Sequence, residues 1–351
     1  MAMVTEVVDA VIGGDTHKDT HTLEMLSPVG ATIACLVIDN DEAGFETALA
    51  WIAEHAPGPR LVVGLEGTRS YGIGLARALT HAGFTVVEVE QPKRQQRRGR
   101  GKSDPIDAHL AALRVLRMDA ERLPMPRADG DREALRILLV GRRELSDTQT
   151  RNKNQLKALL HAGDDVQRTL ASGHLSDARL SVIIRRRASA TETRVQAIRR
   201  GEARRLAQAI RDAERELAVN NKQLRQIVES LAPGLLARYG IGPVTAAQAI
   251  ISWSHVGRCR TDAAFAALAG ASPVPASSGK VVRLRLSRGG DRHLNSALHT
   301  IAMTRWRGCP RTADYIARRR ADGKGDGEIR RLLKRYIARE LFRALNAAAA
   351  T

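Results

Sequence analysis

β-Branched residues alternate with polar ones across residues 7–15, 19–26 and 30–38, and turn-forming stretches (HKD, SPVG) punctuate them. A period of two with this composition predicts three short strands joined by tight turns. The rhythm then changes. Phe45, Leu49 and Ile52 recur at helical spacing across 41–55; 60–66 reads as a buried strand, 70–82 as a helix and 84–89 as another strand. A basic stretch, PKRQQRRGRGK (92–102), precedes a helix that starts near Asp104. From 131 to 160, and again from about 188 to 229, charged residues alternate with Leu, Ile, Val and Ala at helical spacing, with almost no Gly or Pro. That pattern predicts two long helices packed as a coiled coil or helical hairpin, a pairing that often builds a dimer. Past Pro233 the composition shifts to Gly, Ala and Arg.

Three meandering strands followed by alternating helix and strand fit an RNase H-like fold, in which acids on the first and fourth strands meet an acid on a later helix. The expected class is α/β plus all-α: a catalytic domain over residues 1–120, a helical coiled-coil region over 121–230 and a mainly helical domain over 231–351. The 351 residues, 43% hydrophobic and 27% charged, form an ordinary globular mixture. No apolar run approaches the roughly 20 residues of a membrane span, and the N-terminus lacks the order of a signal peptide, so a soluble, cytoplasmic protein without membrane contact is expected. Cys35, Cys259 and Cys309 are too scattered for a zinc motif or disulfide framework and read as buried thiols.

Charge refines this picture. The formal net charge is +18, which points to a polyanionic partner. Residues 1–120 carry 12 basic and 16 acidic side chains, 121–230 carry 23 and 15, and 231–351 carry 21 and 7. Carboxylates kept in one domain of a phosphate-binding protein suit a divalent cation, which neutralises both acids and phosphate; keeping that domain soluble is the simpler alternative. Asp15 ends the first predicted strand and Glu66 the fourth, while Asp104 and Asp107 head the next helix, three residues apart on one side. Strand ends on one sheet edge plus one helix face bring hard oxygen ligands together. Taken alone, Ser103-Asp104-Pro105 and Asp107 also read as a helix cap, but jointly the four acids favour a metal site. His17 and His21 flank Asp19 as weaker candidate ligands, which a turn at Lys18-Asp19 would spread apart.

Two further segments carry basic or phosphate-binding signals. In LLARYGIGPVTAAQAII (235–251) a Gly-Ile-Gly turn between two helix-forming stretches matches a helix-hairpin-helix, where Gly240 and Gly242 let the backbone approach a phosphate; an ordinary helix corner is the alternative. Between Ser272 and Arg288, small, polar and basic residues predict a loop and hairpin exposing Ser277, Ser278, Lys280, Arg283 and Arg285. A serine flanked by guanidinium groups can attack a phosphodiester, although Ser278-Gly279 also reads as a plain turn. With Lys93, Arg94, Arg97, Arg98, Arg288 and Arg292, these basic residues are the expected nucleic-acid contacts.

GDTHKDTH, LEGTRSYGIGLARAL, GKSDPIDAHLAA, GIGPVTAA, LAGASPVPASSGK and RGGDRHLNSAL occur in that order along nearly the whole chain. Together they resemble transposases of the insertion-sequence 110 family. The resemblance implies a RuvC-like domain whose DEDD acids match Asp15, Glu66, Asp104 and Asp107, with Mg2+ as the expected ion and Mn2+ as a substitute. It also implies a catalytic serine at Ser278, with Ser277 adjacent. It further implies recombination of DNA at element ends and target sites, guided by a structured RNA that pairs with both DNAs. A homo-oligomer, dimer or tetramer, is expected to join acids and serine across protomers. A metal-dependent nuclease or junction resolvase without a covalent intermediate, and a non-catalytic nucleic-acid-binding protein, are the rival readings.

Overall fold

The computed structural model describes residues 2–89, 104–127, 129–275, 284–285, 287 and 289–350, with residues 104, 105, 275, 284 and 285 described by backbone alone. The chain divides into two compact units: Met1–Glu133 with Ser254–Arg260, and Ala134–Trp253 with Thr261–Thr351.

In the first unit a short helix, α1 (Val4–Val7), leads into β1 (Ala10–Thr16), β2 (Thr20–Leu26) and β3 (Thr32–Asp39). Then follow α2 (Glu42–His55), β4 (Leu61–Leu65), α3 (Ile73–His81), β5 (Thr85–Glu88) and α4 (Asp104–Leu116). The sheet order is β3-β2-β1-β4-β5; β1 is antiparallel to β2 and parallel to β4, and β5 is parallel to β4. This mixed five-stranded sheet is the one expected of an RNase H-like domain, and each predicted strand end lies within three residues of its observed position.

Alternation along the strands builds two cores. Ile12, Leu23, Met25, Val63, Leu65 and Val86 pack with Trp51 and Ile52 of α2 and Leu75 and Leu79 of α3. On the other face Val11, Val62 and Val87 pack with Ala111, Ala112 and Val115 of α4 and Val4 of α1. Gly13 is what allows α4 so close to the sheet: a Cβ there would lie 2.1 Å from the Ala108 carbonyl oxygen and 2.4 Å from the Ala112 nitrogen.

The second unit is helical. The greater part of α5 (Gly130–His161) leads to α6 (Asp165–Ala171), α7 (Asp177–Arg185) and α8 (Arg194–Leu231). Then come α9 (Pro243–Trp253), α10 (Asp262–Leu268), a two-residue pair β6 (Val274–Pro275) and β7 (Leu284–Arg285), α11 (Arg292–Gly308), α12 (Pro310–Ala321) and α13 (Asp326–Ala348). The two long helices predicted from periodicity are α5 and α8, which pair antiparallel. Leu156 and Leu160 pack with Leu206 and Ile210, Lys153 Nζ donates to Glu214 Oε1 at 3.1 Å, and buried Asn220 donates to the Leu138 carbonyl at 2.9 Å. The short helices α6 and α7 between them were not read from the sequence. No helix among the described residues is long and apolar enough to cross a membrane. Among the three cysteines, Cys35, on edge strand β3, is exposed and the other two are half-buried, so the expectation of buried thiols holds for none of them.

Candidate carboxylate site and serine platform

β1 and β4 run parallel with Gly14 beside Leu65, so Asp15 and Glu66 are the next neighbouring pair at the carboxyl ends of the two strands. The Glu66 amide continues the ladder, donating to the Gly14 carbonyl at 3.0 Å. Val11 and Gly13 on one strand, Val62 and Gly64 on the other, face α4, and alternation puts Asp15 and Glu66 on that same face. Asp107 lies one turn before Ala111 on the sheet-facing side of α4. All three carboxylates are buried, with 6%, 2% and 6% of the surface of Asp15, Glu66 and Asp107 exposed. The backbone of Asp104 begins α4, and its side chain lies outside the described residues.

Local bonds hold this edge in place. Thr16 Oγ1 donates to the Glu66 carbonyl at 2.8 Å, and His17 Nε2 stands 3.1 Å from Asp15 Oδ2. Buried His21 contacts the Thr20 carbonyl and Asn40 Oδ1, each at 3.0 Å, and stacks on Phe45. Burial pushes the His21 imidazole below its usual pKa despite those contacts. Glu24, paired with Gly13 across β1 and β2, accepts from Thr32 Oγ1 at 2.7 Å and meets His109 Nδ1 of α4 at 2.9 Å. This contact fixes α4 over the sheet; neither residue stood out in the sequence, because nothing local reveals a pair 85 positions apart.

Buried carboxylates on adjacent strand ends are a costly arrangement that a hard divalent cation relieves, and their oxygen-only chemistry fits Mg2+ or Mn2+. Among the described residues, however, no three His, Cys, Asp or Glu side chains converge closely enough to hold an ion. The fourth acid, Asp104, is not among those side chains.

A second charged cluster occupies the same sheet edge on the opposite face. Glu88, beside Leu65 in the ladder, accepts bidentately from Arg127 (2.7 and 2.6 Å), and Arg69 approaches it at 3.4 Å. Burial would raise the Glu88 pKa, but the hydrogen bonds and charge of Arg127, with Arg69 and Arg132, outweigh it and hold the carboxyl below its ordinary value. Arg132 donates to the Arg127 carbonyl at 3.0 Å; burial first, then the neighbouring Arg69, Arg127 and Arg258, pull its pKa down to about 10. His255 joins from the returning segment Ser254–Arg260, its pKa lowered by burial and by Arg127, Arg258 and Arg132. That segment opens on Ser254, the one non-glycine residue with positive φ (71°) among those described, whose hydroxyl lies 3.1 Å from His255 Nδ1. Such strained backbone persists where its surroundings enforce it.

In the second unit the expected serine loop springs from β6 and β7, where Val274 pairs with Arg285. Ser277, Ser278, Lys280 and Arg283, like Arg288 and the basic stretch holding Lys93, Arg94, Arg97 and Arg98, lie outside the described residues. The residues on either side of that loop are described. Asp291 caps α11, accepting from the His293 and Leu294 amides (each 2.9 Å) and from Ser252 Oγ (2.6 Å). Gly290, at φ 92°, lets that turn pass the Leu268 carbonyl, which a Cβ would approach to 2.4 Å. Asn295 donates to the Ala269 carbonyl and accepts from Lys334 Nζ, both at 2.6 Å. Lys334, its pKa lowered by burial, lines a 350 Å³ cavity with Ser272 and Ser287 from the two ends of the hairpin. Asp291 and Asn295 thus give RGGDRHLNSAL a structural meaning, while Arg292 is exposed at the start of α11.

The Gly-Ile-Gly segment departs from expectation in detail. Helix α8 ends at Leu231, and 232–242 runs as turns rather than as the first arm of a helical hairpin. Gly240, at φ 79°, gives close approach to α11, with the Ile301 carbonyl 3.3 Å from its would-be Cβ. The Gly242 amide donates to Thr245 Oγ1 at 3.1 Å.

Comparison with protein families matches two models. Residues 12–163 match the DEDD transposase model of the insertion-sequence 110 group, and residues 235–317 match the model described as "Transposase IS116/IS110/IS902 family". No curated protein matches the chain. The first match encloses Asp15, Glu66, Asp104 and Asp107 and the second encloses Ser278 with Asp291 and Asn295; together they span most of the sequence, and the chain belongs to the IS110 family of transposases, enzymes that act on DNA.

Proposed function

We propose that this transposase exchanges DNA strands through a covalent phosphoserine link. The Ser278 hydroxyl attacks a DNA phosphorus: the Oγ–P bond forms, the P–O bond to a deoxyribose oxygen breaks, the serine proton is lost, and the departing oxygen takes one up. Attack by a sugar hydroxyl of another strand reverses the step, restoring a phosphodiester and the free serine. Bond energy is conserved, so no nucleotide cofactor is consumed. Asp15, Glu66, Asp104 and Asp107 would hold Mg2+ or Mn2+, which when bound supplies Lewis-acid stabilisation of phosphate charge. Asp291, Asn295 and Lys334 hold the base of the serine hairpin. A structured guide RNA chooses the donor and target sites by base pairing, and a dimer or tetramer joins acids and serine from different protomers in the cytoplasm, at the nucleoid. In this reading residues 1–120, 121–230 and 231–351 are the carboxylate, helical and serine parts.

The observation that supports the proposal is the side-by-side placement of Asp15 and Glu66 on the sheet face that α4, the helix of Asp107, packs against, in a chain whose two family matches enclose both the acids and the serine. The test is a denaturing gel of protein incubated with element-end DNA, Mg2+ and the RNA that copurifies with it. A covalent protein–DNA adduct is expected, absent in Ser278→Ala and retained in Ser277→Ala. Cleaved DNA with neither adduct nor exchanged strands would instead indicate cutting by activated water alone.

A further inference from the structure

The second unit contains a groove of about 1260 Å³ that neither the carboxylates nor the serine platform uses. It lies among the Arg238–Tyr239 turn, the end of α11, helix α12 and the middle of α13. Its volume exceeds the roughly 300–1,000 Å³ of ordinary small-molecule pockets, which favours an extended ligand. The floor is fixed: Glu340 accepts from Arg305 at 2.7 and 3.0 Å and from Arg238 at 3.3 Å, while Arg305 Nε donates to the Tyr239 carbonyl at 2.9 Å.

The rim is different in kind. Arg311 and Arg318 are exposed, and neither guanidinium has a hydrogen-bond or ion-pair partner among the described residues. Tyr239 and Tyr336 also line the groove with about half their surface exposed, 50% and 51%. Tyr336 is held edge-on against Tyr315 at 5.7 Å and 80°, and the Arg319 guanidinium lies 5.3 Å from the centre of the Tyr315 ring. Its ring is therefore presented by a braced stack rather than by a loose side chain. Exposed aromatic faces beside uncommitted guanidiniums are the two components of single-strand binding: bases stack on the rings, and phosphates meet the cations. A duplex keeps its bases stacked inside and offers the tyrosines nothing. An acidic peptide would satisfy the arginines but leave the rings unused.

We propose that this groove binds a run of unpaired nucleotides, with bases stacked on Tyr336 and Tyr239 and phosphates against Arg311 and Arg318. The inference rests on the reading of this chain as a nucleic-acid enzyme but not on the serine chemistry, and Ser278→Ala protein retains the binding. A failed adduct assay and a failed groove assay are therefore distinguishable.

The test uses the full-length protein freed of nucleic acid, and fluorescence anisotropy with labelled oligo-dT, oligo-U and a blunt duplex, each about twelve nucleotides or base pairs, within the usual site sizes. Tyr336→Ala and Tyr239→Ala should each weaken single-strand binding between about 5- and 150-fold, the range of one base stack. Duplex affinity should change less than about twofold and Tyr336→Phe should bind like wild type, which separates stacking from loss of fold. The oligo-dT and oligo-U arms tell whether DNA, RNA or both occupy the groove. Arg311→Ala and Arg318→Ala should each reduce the salt slope by about one. Photocrosslinking of a 5-iodouracil oligonucleotide should mark Tyr336 or Tyr239. Single-strand affinity unchanged in the double tyrosine variant, an equal loss for the duplex, crosslinks only elsewhere, or poly-glutamate competing as well as oligo-dT would overturn the assignment.

Discussion

Replacing Gly13 by alanine adds one methyl group at the point where α4 touches β1. That methyl would sit 2.1 Å from the Ala108 carbonyl oxygen, 2.4 Å from the Ala112 nitrogen and 2.8 Å from the Ala112 Cβ, more than an ångström inside ordinary contact with the first. Two of these atoms are helix backbone, so no rotamer change relieves the clash and α4 must move away from the sheet. Overpacking of this kind costs roughly 1–3 kcal/mol, and the entropic gain from losing a glycine, at most about 1 kcal/mol, does not offset the upper part of that range. For a unit of this size each kcal/mol lowers Tm by about 2–4 °C. The functional loss should be larger than the stability loss, because Asp107 rides on α4 and a displacement of about 1 Å at a reacting centre can cost roughly 100-fold in rate. Gly141→Ala, within α5, is the control: a Cβ there meets nothing within 4 Å. Thermal melts and DNA strand-exchange rates of the two variants should diverge, with Gly13→Ala the slower by at least about tenfold. Wild-type Tm and rate in Gly13→Ala would refute the claim that this contact sets the height of α4.

The cation cluster yields two more expectations. Arg132 is charged at neutral pH although its pKa is drawn down to about 10, a penalty on the order of 3 kcal/mol before solvent screening and present below about pH 10; Arg132→Gln should therefore leave Tm unchanged or raise it by a few degrees, and a clear fall in a thermal melt would contradict this. Glu88 has its pKa lowered in the fold, so its ionised form contributes stability above the unfolded glutamate value of about 4.3, and that contribution is lost as pH falls through the lower folded value. Denaturant melts should show Glu88→Gln less stable than wild type at pH 7, with the gap closing as pH falls below the unfolded glutamate value; a gap that widens on acidification would reverse the argument.

What the sequence made legible was whatever repeats locally. Alternation in 7–15, 19–26 and 30–38 locates β1, β2 and β3, and strand ends locate Asp15 and Glu66, because both follow from a period of two. Long uninterrupted helical spacing locates α5 and α8 equally well. The short helices α6 and α7 passed unread, since each is under three turns and leaves only a brief periodic trace. LLARY (235–239) has helical composition and reads as a helix-forming stretch, but it runs as turns, and the packing of Gly240 on α11 decides the backbone there. Glu24 with His109, and Glu88 with its arginines, depend on contacts between distant elements that no window of sequence contains.

The return of Ser254–Arg260 to the N-terminal unit has a genetic consequence. A premature stop codon anywhere before residue 254 does not release an intact N-terminal enzyme: the shortened product lacks Ser254–Arg260, and with it His255 and Arg258 of the charged cluster. Truncated copies of the element should thus encode damaged carboxylate units, and an N-terminal fragment expressed for biochemistry needs this heptapeptide supplied in trans.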